Sequence, residues 1–304
     1  MYFSVREKEP VDFRENIKMS HKIVKKTQLS ENVFSMEVEA FYIARARRPG
    51  QFIILSLSDD YGERIPLTIA DADAEKGTIR LIFQRVGKTT TELADLGEGD
   101  TIANVAGPLG NPTDIEEFGR VVCVAGGIGA APLFPITKAL KAEGNRITSI
   151  IGARTADMLI LEDEFEQLSE ELIITTDDGS KGRKALVTEP LEQICKRPEK
   201  PDQAFVIGPA IMMRFCSEVT ARYEVPTKVS LNTIMIDGTG MCGGCRIEYD
   251  GKPKFVCVDG PEFDADKVNW DLMIKRLNAY KPQEKQAHES YKEHRCRIGL
   301  DKKQ

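Results

Sequence analysis

The sequence predicts a multi-domain β plus α/β protein. It has an N-terminal antiparallel β-barrel, a parallel α/β domain, and a small C-terminal domain built on a glycine-rich cysteine loop. Three observations carry this prediction. Short β-branched runs separated by turn signals fill residues 21–115. From about Gly119 onward, apolar strands alternate with helical segments. Three of the seven cysteines crowd into one stretch towards the C-terminus. The expected divisions are an N-terminal extension over 1–20, the barrel over 21–115, the α/β domain over 116–230, the loop domain over 231–266, and a helix with a charged tail over 267–304.

Composition narrows the function. The 304 residues suffice for two or three domains, each with its own core. With 42 basic and 48 acidic side chains the net charge is −6, which argues against a nucleic-acid footprint. Met1 to Ser20 is charged throughout, unlike a signal peptide, and no apolar run approaches the ~18–20 residues of a spanning helix. An odd number of clustered cysteines points to a reducing compartment and a metal site, hence to a cytoplasmic protein without membrane insertion.

The barrel strands read as Ile23-Val24, Val33 to Val38, Phe52 to Leu55 and Thr78 to Phe83. Turn signals at Arg48-Pro49-Gly50, Ser58 to Gly62, Glu75-Lys76-Gly77 and Gly97 to Asp100 divide them, as in a small antiparallel barrel. Two segments carry possible chemistry. In Arg64-Ile65-Pro66-Leu67-Thr68-Ile69-Ala70 a cation opens a strand and a hydroxyl follows. The arginine can pair with a pyrophosphate and Thr68 can face the N5 edge of a flavin; a plain strand start with a surface arginine is the blander reading. In Gly87-Lys88-Thr89-Thr90-Thr91 a glycine and hydroxyls open a short helix after the strand ending Phe83-Gln84-Arg85. Free N–H groups and the helix dipole make that an anion site; simple capping by threonine competes.

The α/β domain opens on Arg120 to Ala125, a continuous apolar run expected of a buried parallel strand. It leads into Gly126-Gly127-Ile128-Gly129-Ala130-Ala131-Pro132, then a helix with Leu133, Ile136 and Leu140 on one face and its prolines confined to the first turn. A strand, a glycine loop and a helix in this order face a pyrophosphate. The usual G-x-G-x-x-G fingerprint is broken: Pro132 takes the third glycine position, and Ile147 stands where an acidic residue is expected roughly 20 residues on. Three further strands end in Gly152-Ala153-Arg154-Thr155, Asp177-Asp178-Gly179-Ser180 and Gly208-Pro209, with a helix through Met212 and Phe215 after the last. Small or polar loops at successive strand ends favour a nucleotide site over ordinary turns. Cys123, Cys195 and Cys216 read as apolar fillers, and Glu162-Asp163-Glu164 as a solvated helix start.

The loop domain holds Asp237-Gly238-Thr239-Gly240-Met241-Cys242-Gly243-Gly244-Cys245 and, further on, Cys257. The cysteines are spaced C-x2-C-x11-C. Plant-type 2Fe–2S sites use C-x4-C-x2-C…C, which this stretch matches if Asp237 replaces the first cysteine. A carboxylate is anionic and ligates iron, but as a harder donor it alters the reduction potential. The glycines let backbone N–H groups approach cluster sulfides. A zinc site from the same thiolates and a fourth ligand is the competing reading; a disulfide fits the glycine-rich run poorly. Asn269 to Tyr280 reads as a helix, with Trp270, Met273 and Leu277 on one face. Lys281 to Gln304 reads as a solvated helix or partner-binding tail rather than a metal site, although it carries His288, His294 and Cys296.

Barrel, nucleotide domain and terminal iron–sulfur loop in this order resemble the ferredoxin-reductase-like flavoproteins, in the branch of the electron-transfer subunit of dihydroorotate dehydrogenase. The resemblance covers about residues 21–280. It rests on Arg64 to Asp71, Val86 to Thr90, Gly107-Pro108-Leu109-Gly110, Ala125 to Pro132, Gly208-Pro209 and Asp237 to Cys257. Asp237 is the sharpest discriminator: the dihydroorotate branch typically has a fourth cysteine there, and a ferredoxin-linked transhydrogenase branch is similar to this chain in having aspartate. The family's flavin motif, R-x-Y-S, is altered, since Arg64 lies four residues before Thr68 and Leu67 replaces the aromatic.

The resemblance implies three cofactors. FAD falls to Arg64, Pro66, Leu67, Thr68, Phe83, Gln84, Gly87, Lys88, Thr89 and Thr90. NAD(H) falls to Gly126, Gly127, Ile128, Gly129, Gly152, Ala153, Arg154, Asp178, Gly208, Pro209 and Met212. The 2Fe–2S cluster falls to Asp237, Cys242, Cys245 and Cys257. No catalytic side chain is needed; Thr68 is expected near flavin N5. The implied activity is that of an oxidoreductase subunit exchanging hydride between NAD(H) and FAD and passing single electrons through the cluster. The implied partner is a larger subunit with FAD and 4Fe–4S clusters, in a heterodimer or larger assembly that couples NAD(H), NADP(H) and ferredoxin by electron bifurcation. Alternatives are an electron-transfer subunit of a dihydroorotate dehydrogenase or a sulfide/polysulfide oxidoreductase, a redox-sensing binding protein, and a zinc-stabilised flavin reductase.

Overall fold

The structure, a computed structural model, describes residues 21–58 and 62–297. The expected N-terminal extension, the tip of the Ser58 to Gly62 turn, the side chains of His294 and Cys296, and the last seven residues lie outside the described residues.

The barrel is formed by β1 (His21–Ser30), β2 (Val33–Glu39), β3 (Phe52–Ser56), β4 (Arg64–Asp73), β5 (Thr78–Gln84), β6 (Thr101–Ile102) and β7 (Asn104–Leu109). All seven pair antiparallel, in the order β6-β1-β2-β5-β4-β3-β7. Alternation sends Met36, Ile53, Leu55, Ile69, Leu81 and Phe83 to a shared interior. Two helices interrupt the strands. One, α2 (Lys88–Asp95), follows Gly87 as expected; the other, α1 (Phe41–Ala46), occupies a segment whose aromatic and branched residues read as β.

The second sheet comprises β8 (Arg120–Gly126), β9 (Arg146–Ala153), β10 (Glu171–Thr176), β11 (Arg183–Lys184), β12 (Gln203–Ile207) and β13 (Thr227–Ser230). These pair in parallel, in the order β11-β10-β9-β8-β12-β13. Helices α3 (Ala130–Ala142) and α4 (Glu162–Leu168) pack with one apolar core, α5 (Thr188–Cys195) and α6 (Ala210–Arg222) with the other. The strand order reverses between β8 and β12, so a crevice opens at their C-terminal ends. One expectation fails in α3. Pro132 lies in its first turn, but Pro135 sits buried in the second. Near the N-terminus its missing N–H leaves only the carbonyl one turn back, that of Ala131, without a helical partner.

The C-terminal segment does not stand apart. A hairpin, β14 (Arg246–Tyr249) and β15 (Lys252–Phe255), is followed by α7 (Val256–Asp259) and β16 (Glu262–Asp264). Asp250 and Gly251, both at positive φ, form its two-residue turn. β16 then joins β13 as an antiparallel edge strand of the parallel sheet. Helices α8 (Trp270–Leu277) and α9 (Lys281–Arg297) are the last described elements, and α9 packs on α2 of the barrel. No helix among the described residues is long and apolar enough to cross a membrane.

The lobes share cores. All five residues of β3 are buried: Ile53 and Leu55 face the barrel interior, while Phe52 and Ile54 join the core that holds Cys245, Val256, Cys257 and Met213. Each such side chain contributes roughly 1.5–3 kcal/mol relative to exposure. Val33, Ala70 and Ile82 reach out on the other side to α3 and α4.

A polar contact closes the junction. Thr113, just beyond the barrel, donates its hydroxyl to Glu262 Oε1 at 2.7 Å. Burial pushes the Glu262 carboxyl up to about 7, against the Thr113 bond and nearby Lys228, with Asp114 adding to the rise. An unfolded chain ionises this group near 4.5, so the folded state alone keeps the proton between 4.5 and about 7. Stability must therefore fall as pH rises through that window, by up to about 3 kcal/mol, and level off above it. E262Q keeps an acceptor for Thr113 and has no proton to lose. Urea unfolding across the same window is expected to show a flatter profile for E262Q than for the parent, and greater stability above the window; parallel profiles would remove Glu262 as the source.

Candidate functional site

Backbone alternation along β4 sorts the first set of predicted residues. Ile65 and Leu67 pack on the barrel core, so Arg64, Pro66 and Thr68 share the outer face. On the neighbouring strand Thr68 lies opposite Phe52, Pro66 opposite Ile54 and Arg64 opposite Ser56. Arg64 is exposed and forms no ion pair among the described residues. Phe83 is buried in the barrel, its ring centroid 6.0 Å from that of Phe34. Leu67 and Phe83 therefore have only backbone to offer a ligand on the outer face.

The α2 end is more occupied than its sequence implies. Thr90 Oγ1 accepts from the N–H groups of Val86 and Gly87 at 3.1 and 3.0 Å, and Thr91 donates to the Gly87 carbonyl at 2.7 Å. The buried Thr89 hydroxyl donates to Glu63. Sequence reasoning did not single out Glu63. A phosphate placed at this helix start has the N–H groups of the first turn available and must displace or accommodate that carboxylate.

Four loops meet at the C-terminal edge of the parallel sheet because the registers align Gly126 with Gly152, Ala125 with Ile207 and Ala153 with Thr176. The glycine loop is backbone-tight. A Cβ on Gly129 would sit 2.3 Å from the Ile207 carbonyl oxygen, across the strand reversal. Met212 at the head of α6 lays its thioether over Gly126 and Gly208. Two neighbouring loops are stitched together. Asp178 N–H donates to the Arg154 carbonyl at 3.2 Å, and Ala156 N–H to Ser180 Oγ at 2.8 Å. Hydrogen bonds from the Ser180 hydroxyl and N–H hold the Asp178 carboxyl below its usual range. The Gly127–Gly129 turn also packs against β5, which brings this crevice to the barrel.

The cysteine loop folds around Asp237. Its Oδ1 accepts from Thr239 N–H at 2.8 Å and its Oδ2 from Cys242 N–H at 2.6 Å; the Thr239 bond leads in holding the carboxylate below its usual range. Gly238, at φ +75, lies so close to Ile54 and Leu109 of the barrel that a Cβ would come within 2.8 Å of both. Cys245 and Cys257 are buried with sulfurs 3.2 Å apart, and Cys242 is exposed. Burial, then the Cys245 neighbour, pushes the Cys257 thiol up to about 12, so a metal must displace its proton. Among the described residues, no three His, Cys, Asp or Glu side chains converge as a preformed metal site. The donor set nevertheless suits iron–sulfur chemistry: Asp237, Cys242 and Cys245 come from one glycine-rich loop and Cys257 from α7, with the Cys245 and Cys257 sulfurs already adjacent.

The three regions adjoin. The Arg64–Thr68 face runs through Phe52 and Ile54 to Gly238, and the glycine turn reaches β5 from the opposite lobe. A flavin-reductase-type barrel, a doubly wound nucleotide sheet and a cysteine loop on one shared core define an electron-transfer oxidoreductase architecture.

Comparison with known proteins agrees. Residues 232–269 match the iron–sulfur cluster binding domain of dihydroorotate dehydrogenase B, and residues 123–218 an oxidoreductase NAD-binding domain. A dihydroorotate dehydrogenase B (NAD(+)) electron transfer subunit homolog from Thermotoga maritima is 49% identical over 271 residues, 89% of this chain and 95% of that protein. The dihydroorotate dehydrogenase B electron transfer subunit of Desulforamulus reducens is 35% identical over 257 residues, 82% and 97% of the two chains. A chain from the NADH-dependent reduced ferredoxin-NADP oxidoreductase structure, solved for flavin-based electron bifurcation, superposes with TM-score 0.83 at 48% identity, covering 89% of this chain and 97% of that one. A ferredoxin reductase of carbazole 1,9a-dioxygenase shares the fold, with TM-score 0.60 at 18% identity over 68% and 66% of the two chains. The chain belongs to the family of dihydroorotate dehydrogenase B electron-transfer subunits and their homologues.

Gly129 gives a test of the crevice. G129A must part β12 from the glycine loop, because the obstructing atom is backbone. A loss of about 1–3 kcal/mol is expected in chemical denaturation, together with weaker nucleotide binding by calorimetry. A variant as stable as the parent would show that the loop has room the structure denies it.

Proposed function

We propose that the chain is the NAD(H)-side electron-transfer subunit of a ferredoxin/NAD(H)/NADP(H) bifurcating transhydrogenase, delivering electrons to a larger flavin and iron–sulfur subunit. The observation that carries the reading is the continuity of the three sites across β3, β4 and β5. Bound together, NAD(H), FAD and a 2Fe–2S cluster supply hydride transfer and conversion to single electrons. The chain's own residues hold, orient and shield. Gly126 to Gly129 and the α3 N-terminus present N–H groups to a pyrophosphate, while Met212 caps the crevice from above. Arg154 and Asp178, on two stitched loops at the same sheet edge, would serve the same ligand. Arg64 offers a cation and Thr68 a hydroxyl on the outer face of β4, with Gly87 to Thr90 at the helix start beyond. Asp237, Cys242, Cys245 and Cys257 supply the cluster ligands. No general base or nucleophile is required.

Asp237 favours the transhydrogenase reading over a dihydroorotate partner. It also caps its own loop, so alanine would remove a cap and a ligand at once. D237N keeps one acceptor oxygen, so one of the Thr239 and Cys242 bonds is lost along with the anionic ligand; D237C restores an anionic ligand without the cap. Purified parent protein is expected to contain iron and sulfide in equal amounts and to reduce a dye with NADH. D237C should keep a 2Fe–2S spectrum at a shifted potential, and D237N should lose cluster or shift it. A D237N cluster identical to the parent in both spectrum and potential would remove Asp237 from the ligand set.

The partner reading rests on the loop's surroundings. Ile236, Met241 and Val258 are 51%, 88% and 42% exposed beside the exposed Cys242, an apolar collar around the ligand most open to solvent. M241D is expected to weaken co-purification with the native partner about tenfold, ~1.4 kcal/mol, while leaving the visible spectrum unchanged. Undiminished assembly would move the partner's footprint away from this loop.

A further inference from the structure

One cation beside the cysteine loop has no counter-charge among the described residues. Arg276, near the C-terminal end of α8, donates from Nη2 to the Gly244 carbonyl at 3.3 Å. Gly244 is the residue before Cys245, in the peptide segment that joins Cys242 to Cys245. The side chain is half-buried, and among the described residues no carboxylate lies within ion-pair distance of it. That distinguishes it from the other arginine beside α8, Arg214, which is shared between Glu218 and Asp271.

The mount is rigid. Asn269 caps α8 by accepting from Leu272 N–H at 3.1 Å, and its amide donates to Glu248 Oε1 of β14 at 2.7 Å. Trp270 donates to the Ala265 carbonyl, and Met273 is buried in the core that contains Cys245 and Cys257. The helix is therefore bolted to the hairpin that follows the ligand loop, and Arg276 is presented from it at a set height.

Two physical effects follow. A trans peptide points its C=O and the next N–H in opposite directions. With the Gly244 carbonyl turned to the guanidinium, the Cys245 N–H is turned away from it, and that N–H finds no acceptor among the described residues. Gly244 N–H in the same segment already donates to Cys242 Sγ at 3.4 Å, and backbone donors at ligand sulfurs are a means of tuning a cluster. The second effect is charge. Four anionic ligands outweigh the positive charge of an iron–sulfide core, and reduction adds one more negative charge. A nearby unpaired cation in a partly desolvated setting stabilises the reduced form more than the oxidised one.

We propose that Arg276 is a positioning residue for electron transfer: seated on the Gly244 carbonyl, it fixes the peptide between Cys242 and Cys245 and raises the reduction potential of the centre those cysteines hold. This rests on the reading of the loop as a cluster site, and nothing in the family comparison assigns it.

The experiment is a spectroelectrochemical titration of the full chain, purified with its cluster, for the parent, R276Q and R276K. Iron, sulfide and visible spectrum of the parent come first; a parent without cluster would sink the reading of the loop and leave Arg276 with nothing to act on, so the two failures are distinct. With clusters loaded, R276Q is expected to disfavour reduction about tenfold, a midpoint about 59 mV lower for a one-electron couple. R276K, which keeps the charge, is expected within threefold of the parent. Equal midpoints for R276Q and the parent would overturn the proposal. If R276Q fails to load its cluster, R276K decides: loading at a near-parent midpoint supports the proposal, and failure of both variants reduces Arg276 to a packing residue and overturns it.

Discussion

The structure depends on a strand with no solvent face. β3 buries Ile53 and Leu55 in the barrel and Phe52 and Ile54 in the core of the C-terminal segment, so two lobes share one strand as common wall. A strand buried on both sides sets its register firmly, because a slip of one residue would exchange the two sets. Everything functional hangs from that register. It places Thr68 beside Phe52 and Pro66 beside Ile54, and it leaves Gly238 no room for a side chain against Ile54 and Leu109. The distance between the β4 face and the cysteine loop is thus a packing constraint of the core. For a protein that moves electrons, that is the quantity most in need of being fixed.

The same economy governs the nucleotide crevice. Gly129 lies against backbone, not a side chain, so its neighbour cannot yield by rotating away. Met212 fills the space over Gly126 and Gly208 with a flexible thioether, a residue suited to a surface that must both close and admit a ligand. Rigid backbone below and an adaptable side chain above give a crevice whose floor is set and whose roof can adjust.

How much of this was legible follows from which signals are local. The glycine loop, the α2 start and the cysteine spacing are local, and each lies on the element expected. Leu67 and Phe83 were grouped with the flavin residues because they sit in the right stretches. Their inward orientation follows from alternation, since Arg64 and Thr68 on β4 and Arg80 and Gln84 on β5 stand on the opposite face. The Asp250-Gly251 turn is a local hairpin signal, and it marks β14 and β15. Pro135 shows the reverse: a rule about helix interiors gave way near an end where one missing hydrogen bond is tolerable. Glu63, Glu262 and Arg276 were invisible, since each owes its role to a partner far along the chain: Thr89, Thr113 and Gly244.

Asp237 and Arg276 finally bear on one another. The carboxylate turns its oxygens to the N–H groups of Thr239 and Cys242, while the guanidinium takes the carbonyl of Gly244. The loop is held by an anion at the N–H groups of Thr239 and Cys242 and by a cation at the carbonyl of Gly244. With a cluster seated on the loop, a carboxylate ligand harder than thiolate and the Arg276 cation would act on the same electron. Removing either changes the backbone geometry and the local field together. That coupling explains why a glycine-rich loop, which would otherwise be among the softest parts of the chain, can present donors at set positions. Its order comes from two charged side chains working on its dipoles together with the packing of Gly238 on Ile54 and Leu109 and the burial of Cys245.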